Sequence, residues 1–276
     1  MAQDTTQVAL ACRTRKGGEH SLNEDAIGFC GWTLSGESPD LFPAWRSLDF
    51  GLVGGQRAVI TVADGVGGRH SSHVASRLVA ERTSRAEVAA KQSAVGVVVN
   101  QAHQELLDLG RANPELVGMG TTVVGVILFA DGEVGYFNVG DSRLYYTNVG
   151  TLVLATEDDI EDVPLAYNRT RLRAWVGREE LARLDPKANR MKADGYRRLL
   201  LCSDGLYQGV PSPNWLERLV CDRKLTPADV VAQLFEATKG AADDVTAVVV
   251  DIWAARFNPG VWPTDPLAAG FQPRRG

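Results

Sequence analysis

Strand-like segments in this chain come in hairpin-linked groups, and helix-like segments come in pairs. That order constrains the fold more than any other feature. Ala58 to Ala63, Thr121 to Ala130, Val134 to Val139, Arg143 to Thr147, Thr151 to Ala155, Arg198 to Cys202 and Val245 to Trp253 are rich in Val, Ile, Leu, Tyr and Thr. Turn residues bound them, which predicts strands. Asp131-Gly132 reads as a hairpin turn, because this pair tolerates the positive φ such turns need. Tyr146 to Gly150 reads as another. Ser72 to Lys91 and Ser93 to Arg111 carry apolar residues at three-to-four spacing and predict an antiparallel helix pair. Ser212-Pro213 and Thr226-Pro227 open two later helices, each with a hydroxyl cap before a proline at the first helical position. A parallel α/β sheet alternates strand and helix strictly, and this chain does not. The expected class is α+β, with antiparallel sheets flanked by paired helices.

Residues 1–253 are expected to form one folded unit. From Ala254 to Gly276 the periodic pattern gives way to Pro, Gly and scattered apolar residues. This stretch reads as a tail, docked by Trp262 or Phe271. Gly31 to Arg57 reads as a loop or broken hairpin, either an inert insertion or a rim element for a partner. The 276 residues carry a net charge of -5, so no overall basic field attracts nucleic acid. No apolar run approaches the ~20 residues that cross a bilayer. The first residues lack the charged-then-apolar order of a signal peptide, so a cytoplasmic location is expected. Cys12, Cys30, Cys202 and Cys221 form no CxxC pair and are expected to be free thiols.

Acidic residues stand where the apolar strands end. Ala58 to Ala63 runs into Asp64-Gly65, and Arg198 to Cys202 runs into Ser203-Asp204. Asp243-Asp244 opens the strand from Val245, and Asn23-Glu24-Asp25 precedes Ala26 to Phe29. A single Asp-Gly after a strand is ordinarily a turn. Four such carboxylates brought together repel unless a cation neutralises them, and oxygen ligands without His or Cys suit magnesium or manganese. The glycines after Asp64 permit close approach, so the Gly65 carbonyl is a further candidate ligand. GxxxxGK[ST], HExxH and GxSxG do not occur.

Seven motifs in order carry a family resemblance. They are Asn23-Glu24-Asp25-Ala26, Val62 to Gly68, Gly118 to Thr122, Val139 to Arg143, Leu172 to Gly177, Leu200 to Leu206 and Asp243 to Thr246. Together the sequence resembles the PPM family of metal-dependent serine/threonine phosphatases, the type-2C class, in its bacterial form. The resemblance implies a central β-sandwich of two antiparallel sheets flanked by helix pairs, with residues 1–253 as the phosphatase domain. It implies two Mn²⁺ or Mg²⁺ ions, with Asp64 bridging them, the Gly65 carbonyl on one, and Asp204 and Asp243 on the other. Glu24 and Asp25 would hold metal-bound waters. A metal-activated water would attack phosphorus in line, without a covalent enzyme intermediate. The implied substrates are phosphorylated proteins, including a Ser/Thr kinase or its targets, and the implied state is a monomer. A non-catalytic phosphoprotein-binding regulator on the same fold, or a phosphatase for a small metabolite, are the other readings.

The sequence departs from the family at several points. His20 stands where the family has an Arg that grips phosphate. Either His20 contacts phosphate or donates a proton, or Arg13, Arg15 or Lys16 grips phosphate instead. Gly118 replaces an Asp that helps hold a third metal in many bacterial members. Val66 replaces a histidine of animal members, and Asp244 replaces the usual Asn. Asp141 and Ser142 read as structural hydrogen bonders in a turn. His70 and His73 read as solvated residues at a helix start.

Overall fold

The computed structural model describes residues 3–35, 45–66, 71–85, 92–161, 171–193 and 195–257. These form two six-stranded antiparallel sheets and a two-stranded ribbon. One sheet contains β1 (Gln3–Arg15), β4 (Trp45–Val53), β10 (Arg143–Asn148), β11 (Thr151–Leu154), β13 (Gly195–Cys202) and β14 (Val245–Phe257), in the order β11-β10-β13-β14-β1-β4. The other contains β2 (Ala26–Phe29), β3 (Trp32–Ser35), β5 (Arg57–Ala63), β8 (Val123–Phe129), β9 (Glu133–Val139) and β12 (Lys187–Lys192), in the order β12-β9-β8-β5-β2-β3. The ribbon pairs β6 (Gly65–Val66) with β7 (Gly120–Thr121).

Both faces of each sheet are covered, which is why the central strands read as continuous apolar runs. Ile60 and Val62, Val124 and Val126, Leu199 and Leu201, and Val248 and Val250 meet between the sheets. Their alternate neighbours face outward. Val59, Val123 and Ile127 pack under α1 (Ser72–Thr83) and α2 (Gln92–Ala112). Leu200, Cys202 and Val249 pack under α4 (Pro213–Cys221) and α5 (Pro227–Ala237). A short α3 (Asp204–Gly209) follows β13. The result is the expected sandwich with helix pairs outside.

Both cap readings hold. Ser212 accepts from Trp215 N at the start of α4, and Thr226 forms a reciprocal capping box with Asp229 at the start of α5. Asp131 accepts the Glu133 N–H at 3.0 Å in the β8–β9 turn. The β10–β11 turn places Val149 at φ 47°, a left-handed conformation that a β-branched residue rarely adopts.

Three sequence expectations are corrected. Gly31–Arg57 is neither a loop nor a hairpin closed on itself. It supplies β3, which pairs with β2, and β4, which pairs with β1, so one insertion adds an edge strand to each sheet. β14 continues through Phe257, four residues past the expected end at Trp253. The N-terminal segment, read only for a leader, is β1, paired on one side along its whole length with β14. Trp262, Phe271 and His70 lie outside the described residues.

One buried ion pair fastens the α4–α5 connection to the sheet. Arg198 is 1% exposed and stands opposite Asp251 in the β13–β14 register. Its Nε and Nη2 lie 2.5 and 2.7 Å from the Asp251 carboxylate. Nη1 donates to Asp222 O at 3.1 Å and Nη2 to Leu225 O at 2.6 Å. Arg198→Met leaves the buried Asp251 charge without its cation, with only Tyr196 OH still donating to it at 3.1 Å, and is expected to cost ~3–5 kcal/mol of stability by urea denaturation. Arg198→Lys is expected to recover little, because lysine cannot span the fork.

Candidate metal centre

The antiparallel order brings one end of β1, β2, β5, β10, β13 and β14 together. Asp64 follows β5, Asp204 follows β13, Asp25 precedes β2, Asp141 precedes β10, and Asp243 precedes β14. The sandwich thus converts strand-end carboxylates, up to 218 positions apart between Asp25 and Asp243, into neighbours.

A ring of hydroxyls and amides holds them. Thr14 and Thr246 share a hydrogen bond of 2.7 Å, and Asn23 Nδ2 donates to Thr14 at 2.7 Å. Asn23 Oδ1 accepts the Asp25 N–H at 3.0 Å. Ser203 Oγ donates to Asp25 Oδ2 at 2.8 Å and accepts the Thr246 N–H at 3.0 Å. The Asp64 carbonyl accepts from Thr122 N and Thr121 Oγ1, each at 2.8 Å, and Thr122 Oγ1 bonds Ser142 Oγ at 2.6 Å. Gly65 lies against Glu24 and Ser72, where a Cβ would meet the Glu24 carbonyl oxygen at 2.8 Å. Its N–H donates to that oxygen at 3.2 Å. Only glycine permits this approach.

Among the described residues, the carboxylates raise one another's pKa values more than nearby cations lower them. Burial, then Asp25, Asp204, Asp141 and Asp243, raise Asp64 well above the usual carboxylate range. Burial and Asp244 do the same to Asp25, against the hydrogen bonds from Thr246 and Ser203. Burial and Asp243 raise Asp204, against an opposing contribution from Asp64. Burial and Asp204 push Asp141 up to about 7. Asp141, expected only to brace a turn, therefore adds to the field on Asp64. Glu24 is raised by burial and lowered in turn by His20.

Nearby cations are committed elsewhere. Arg143 Nη2 and Nε hold Asp158 at 2.7 and 3.1 Å. Arg15 donates to Phe235 O at 2.9 Å and Thr238 O at 2.6 Å at the end of α5. Arg13 stacks over Phe235, 4.7 Å from its centroid. Lys16 Nζ donates to the Gly17 and His20 carbonyls at 2.8 and 2.6 Å. None of the three alternative phosphate grips therefore points to the carboxylates. His20 does: its Nδ1 is 3.0 Å from Asp244 Oδ2 and its Nε2 is 3.7 Å from Asp243 Oδ1. Burial lowers its pKa, but contact with Asp244 and the charges of Asp243 and Glu24 outweigh this and raise it.

The donor set fits a divalent cation. All its inner members are hard oxygens, and Asp25 Oδ1 is buried with no hydrogen-bond partner in the structure. Among the described residues, no three His, Cys, Asp or Glu side chains close on one point as a finished metal cage. Asp64 and Asp204 instead act on each other through their charges.

Comparison with known proteins decides the family. The sequence profile described as "Protein phosphatase 2C" matches residues 49–239. The chain belongs to the protein phosphatase 2C family. It is 30% identical over 233 residues to the serine/threonine protein phosphatase PstP of Mycobacterium tuberculosis, covering 77% of this chain and 43% of PstP. The chain thus spans less than half the length of that relative. It is 28% identical over 214 residues to the serine/threonine phosphatase stp of Listeria monocytogenes, covering 70% of this chain and 84% of stp. The crystal structure of the PstP catalytic domain with two manganese ions superposes with TM-score 0.68 at 25% identity, over 90% of this chain and 99% of that one. Staphylococcus aureus Stp1 has the same fold, with TM-score 0.69 at 23% identity over 87% of this chain and 93% of that one.

These pKa directions fix the sign of a pH effect. Acids raised in the fold hold their protons to higher pH than in the unfolded chain, so they favour the fold below their folded pKa values and lose that advantage as pH rises through them. Raised His20 acts with the same sign. The metal-free protein is therefore expected to lose thermal stability between about pH 4 and pH 7, the window set by Asp141. Saturating manganese is expected to flatten that fall. Thermal melts in EDTA and in manganese across this range check both.

Proposed function

We propose that this protein hydrolyses phosphoserine and phosphothreonine in proteins, as a manganese- or magnesium-dependent phosphatase opposing Ser/Thr kinases in bacterial signalling. The observation that carries the reading is the meeting of Asp25, Asp64, Asp141 and Asp204, whose mutual charges raise one another, while among the described residues the neighbouring Arg143 is held by Asp158. The serine/threonine phosphatase names of PstP and stp, and the two manganese ions of the PstP domain, support it.

Asp64, Asp204, Asp243 and the Gly65 carbonyl would hold the ions, with Glu24 and Asp25 holding water beside them. Bound there, two divalent cations supply an activated water and neutralise charge on the phosphoryl oxygens. The chain's own residues orient the reaction. Ser203 and Thr246 fix Asp25, Thr122 and Thr121 fix the backbone at Asp64, and His20, beside the half-exposed Asp243, would be a side chain within reach of phosphate. No helix of the described residues is long and apolar enough to cross a membrane, which is compatible with a cytoplasmic substrate pool.

The test is manganese-dependent hydrolysis of a phosphothreonine peptide and of p-nitrophenyl phosphate. EDTA is expected to abolish turnover. Asp204→Asn is expected to lower kcat/KM by ~10²–10³, as when several kcal/mol of Lewis-acid stabilisation disappears. Manganese binding without turnover would move the reading to a phosphoprotein-binding regulator. Turnover of small phosphate esters with the peptide untouched would move it to a metabolite phosphatase.

A further inference from the structure

Two stretches that each carry a candidate metal-site residue are zipped together. The turn from α5 to β14 carries Asp243, and the connection from β1 to β2 carries Glu24. Gly18 N–H donates to Ala241 O at 3.0 Å, and Glu19 N–H to Ala242 O at 2.9 Å. Gly17 lies flat on Asp243, where a Cβ would overlap the carbonyl carbon. Asp243 Oδ1 accepts the Asp244 N–H at 2.8 Å, which ties that carboxylate to its own backbone.

Asp244 closes the zip. It is 2% exposed. Its Oδ1 accepts the Gly17 N–H and its Oδ2 the Glu24 N–H, each at 2.6 Å. Both are short, charge-assisted bonds. An asparagine, the family's usual residue here, offers one oxygen and would turn its NH₂ group on the second N–H. The carboxylate therefore holds two stretches of backbone where an amide holds one.

The grip continues across the cleft. The Glu24 carbonyl accepts the Gly65 N–H at 3.2 Å, so the backbone of Glu24 is held by Asp244 on one side and by Gly65 on the other. Gly205 has no room for a Cβ against the Asp244 carbonyl oxygen, which fixes the backbone beside Asp204 to the same residue. One line of contacts thus joins Asp204, Asp243, Glu24 and Gly65.

We propose that Asp244 is a positioning residue that sets the span from Asp243 to the Gly65 carbonyl, and so governs how tightly the cleft holds divalent cations. It acts through the backbone of Glu24 and needs no contact of its own with an ion. The inference rests on the metal-dependent reading of the site.

The first readout needs no metal. Hydrogen exchange of the Gly17 and Glu24 amides is followed by NMR in the metal-free protein. Both amides are expected to be protected in the parent, and one of the two to exchange about tenfold faster in Asp244→Asn, the loss of one charge-assisted bond. The second readout is manganese affinity by calorimetry. Asp244→Asn is expected to raise Kd about tenfold, the scale on which ligand-orienting contacts act. Thr226→Ala, which removes the cap at the far end of α5, is expected to lower the melting temperature and leave that Kd unchanged. The contrast separates positioning from a general loss of stability. Amides that both stay protected in Asp244→Asn overturn the proposal, and so does an unchanged Kd in that variant. Should Asp244→Asn fail to fold, the parent decides: exchange at Gly17 and Glu24 is expected to slow together as magnesium is added, and exchange indifferent to magnesium overturns the proposal. A parent that binds no manganese refutes the metal-dependent reading itself. A parent that binds manganese no better than Asp244→Asn refutes the positioning role alone.

Discussion

Mutual repulsion among buried carboxylates governs the site, and the surrounding fold is arranged to withstand it. Asp25, Asp64, Asp141 and Asp204 each carry a raised pKa, with burial as the first cause and another aspartate next. Left alone, such a group would spread apart or keep its protons. It does neither freely, because every member is anchored by its backbone at the end of a strand. Thr14, Asn23, Ser203 and Thr246 clamp the inner rim with side-chain hydrogen bonds. The fold thus holds an unfavourable charge arrangement that a divalent cation would make favourable. Stability given up at a functional site in this way is recovered elsewhere, and here the continuous apolar layers on both faces of the sheets are the source.

Much of this was legible in the chain. Asp64, Asp204 and Asp243 stand out because each interrupts a run such as Ala58–Ala63 or Leu199–Cys202 that can only be a buried strand. The capped helices at Ser212-Pro213 and Thr226-Pro227 were equally plain, since caps are local. What stayed hidden depended on distant partners. Gln3–Arg15 mixes threonines and arginines with its apolar residues, and their partners are distant: Thr6 donates to Ala130 O at 2.9 Å and Arg15 is spent on the end of α5. β12, Lys-Ala-Asn-Arg-Met-Lys, shows no apolar period because it is an exposed edge, guarded by the charges that keep edges from pairing. Gly31–Arg57 could not be read as two strands, because its halves pair with β2 and β1 and not with each other.

The roles of Asp244 and Asp141 were the least legible. In sequence, Asp244 is one more acid beside Asp243. Its function lies in two backbone N–H groups 227 and 220 residues away, which no local pattern reveals. Asp141 sits in an ordinary turn before β10, and only the sandwich brings its charge to Asp64 and Asp204. The reverse error occurred with cations: Arg13, Arg15 and Lys16 look available in sequence, and each is already committed in the fold.

The central claim is that the strand-end carboxylates form a seat for divalent metal. Anomalous diffraction at the manganese edge, from crystals grown with manganese, tests it most directly. The account predicts two peaks in the cleft between Asp64, Asp204 and Asp243, with Asp64 touching both. A cleft without anomalous density at saturating manganese would contradict it.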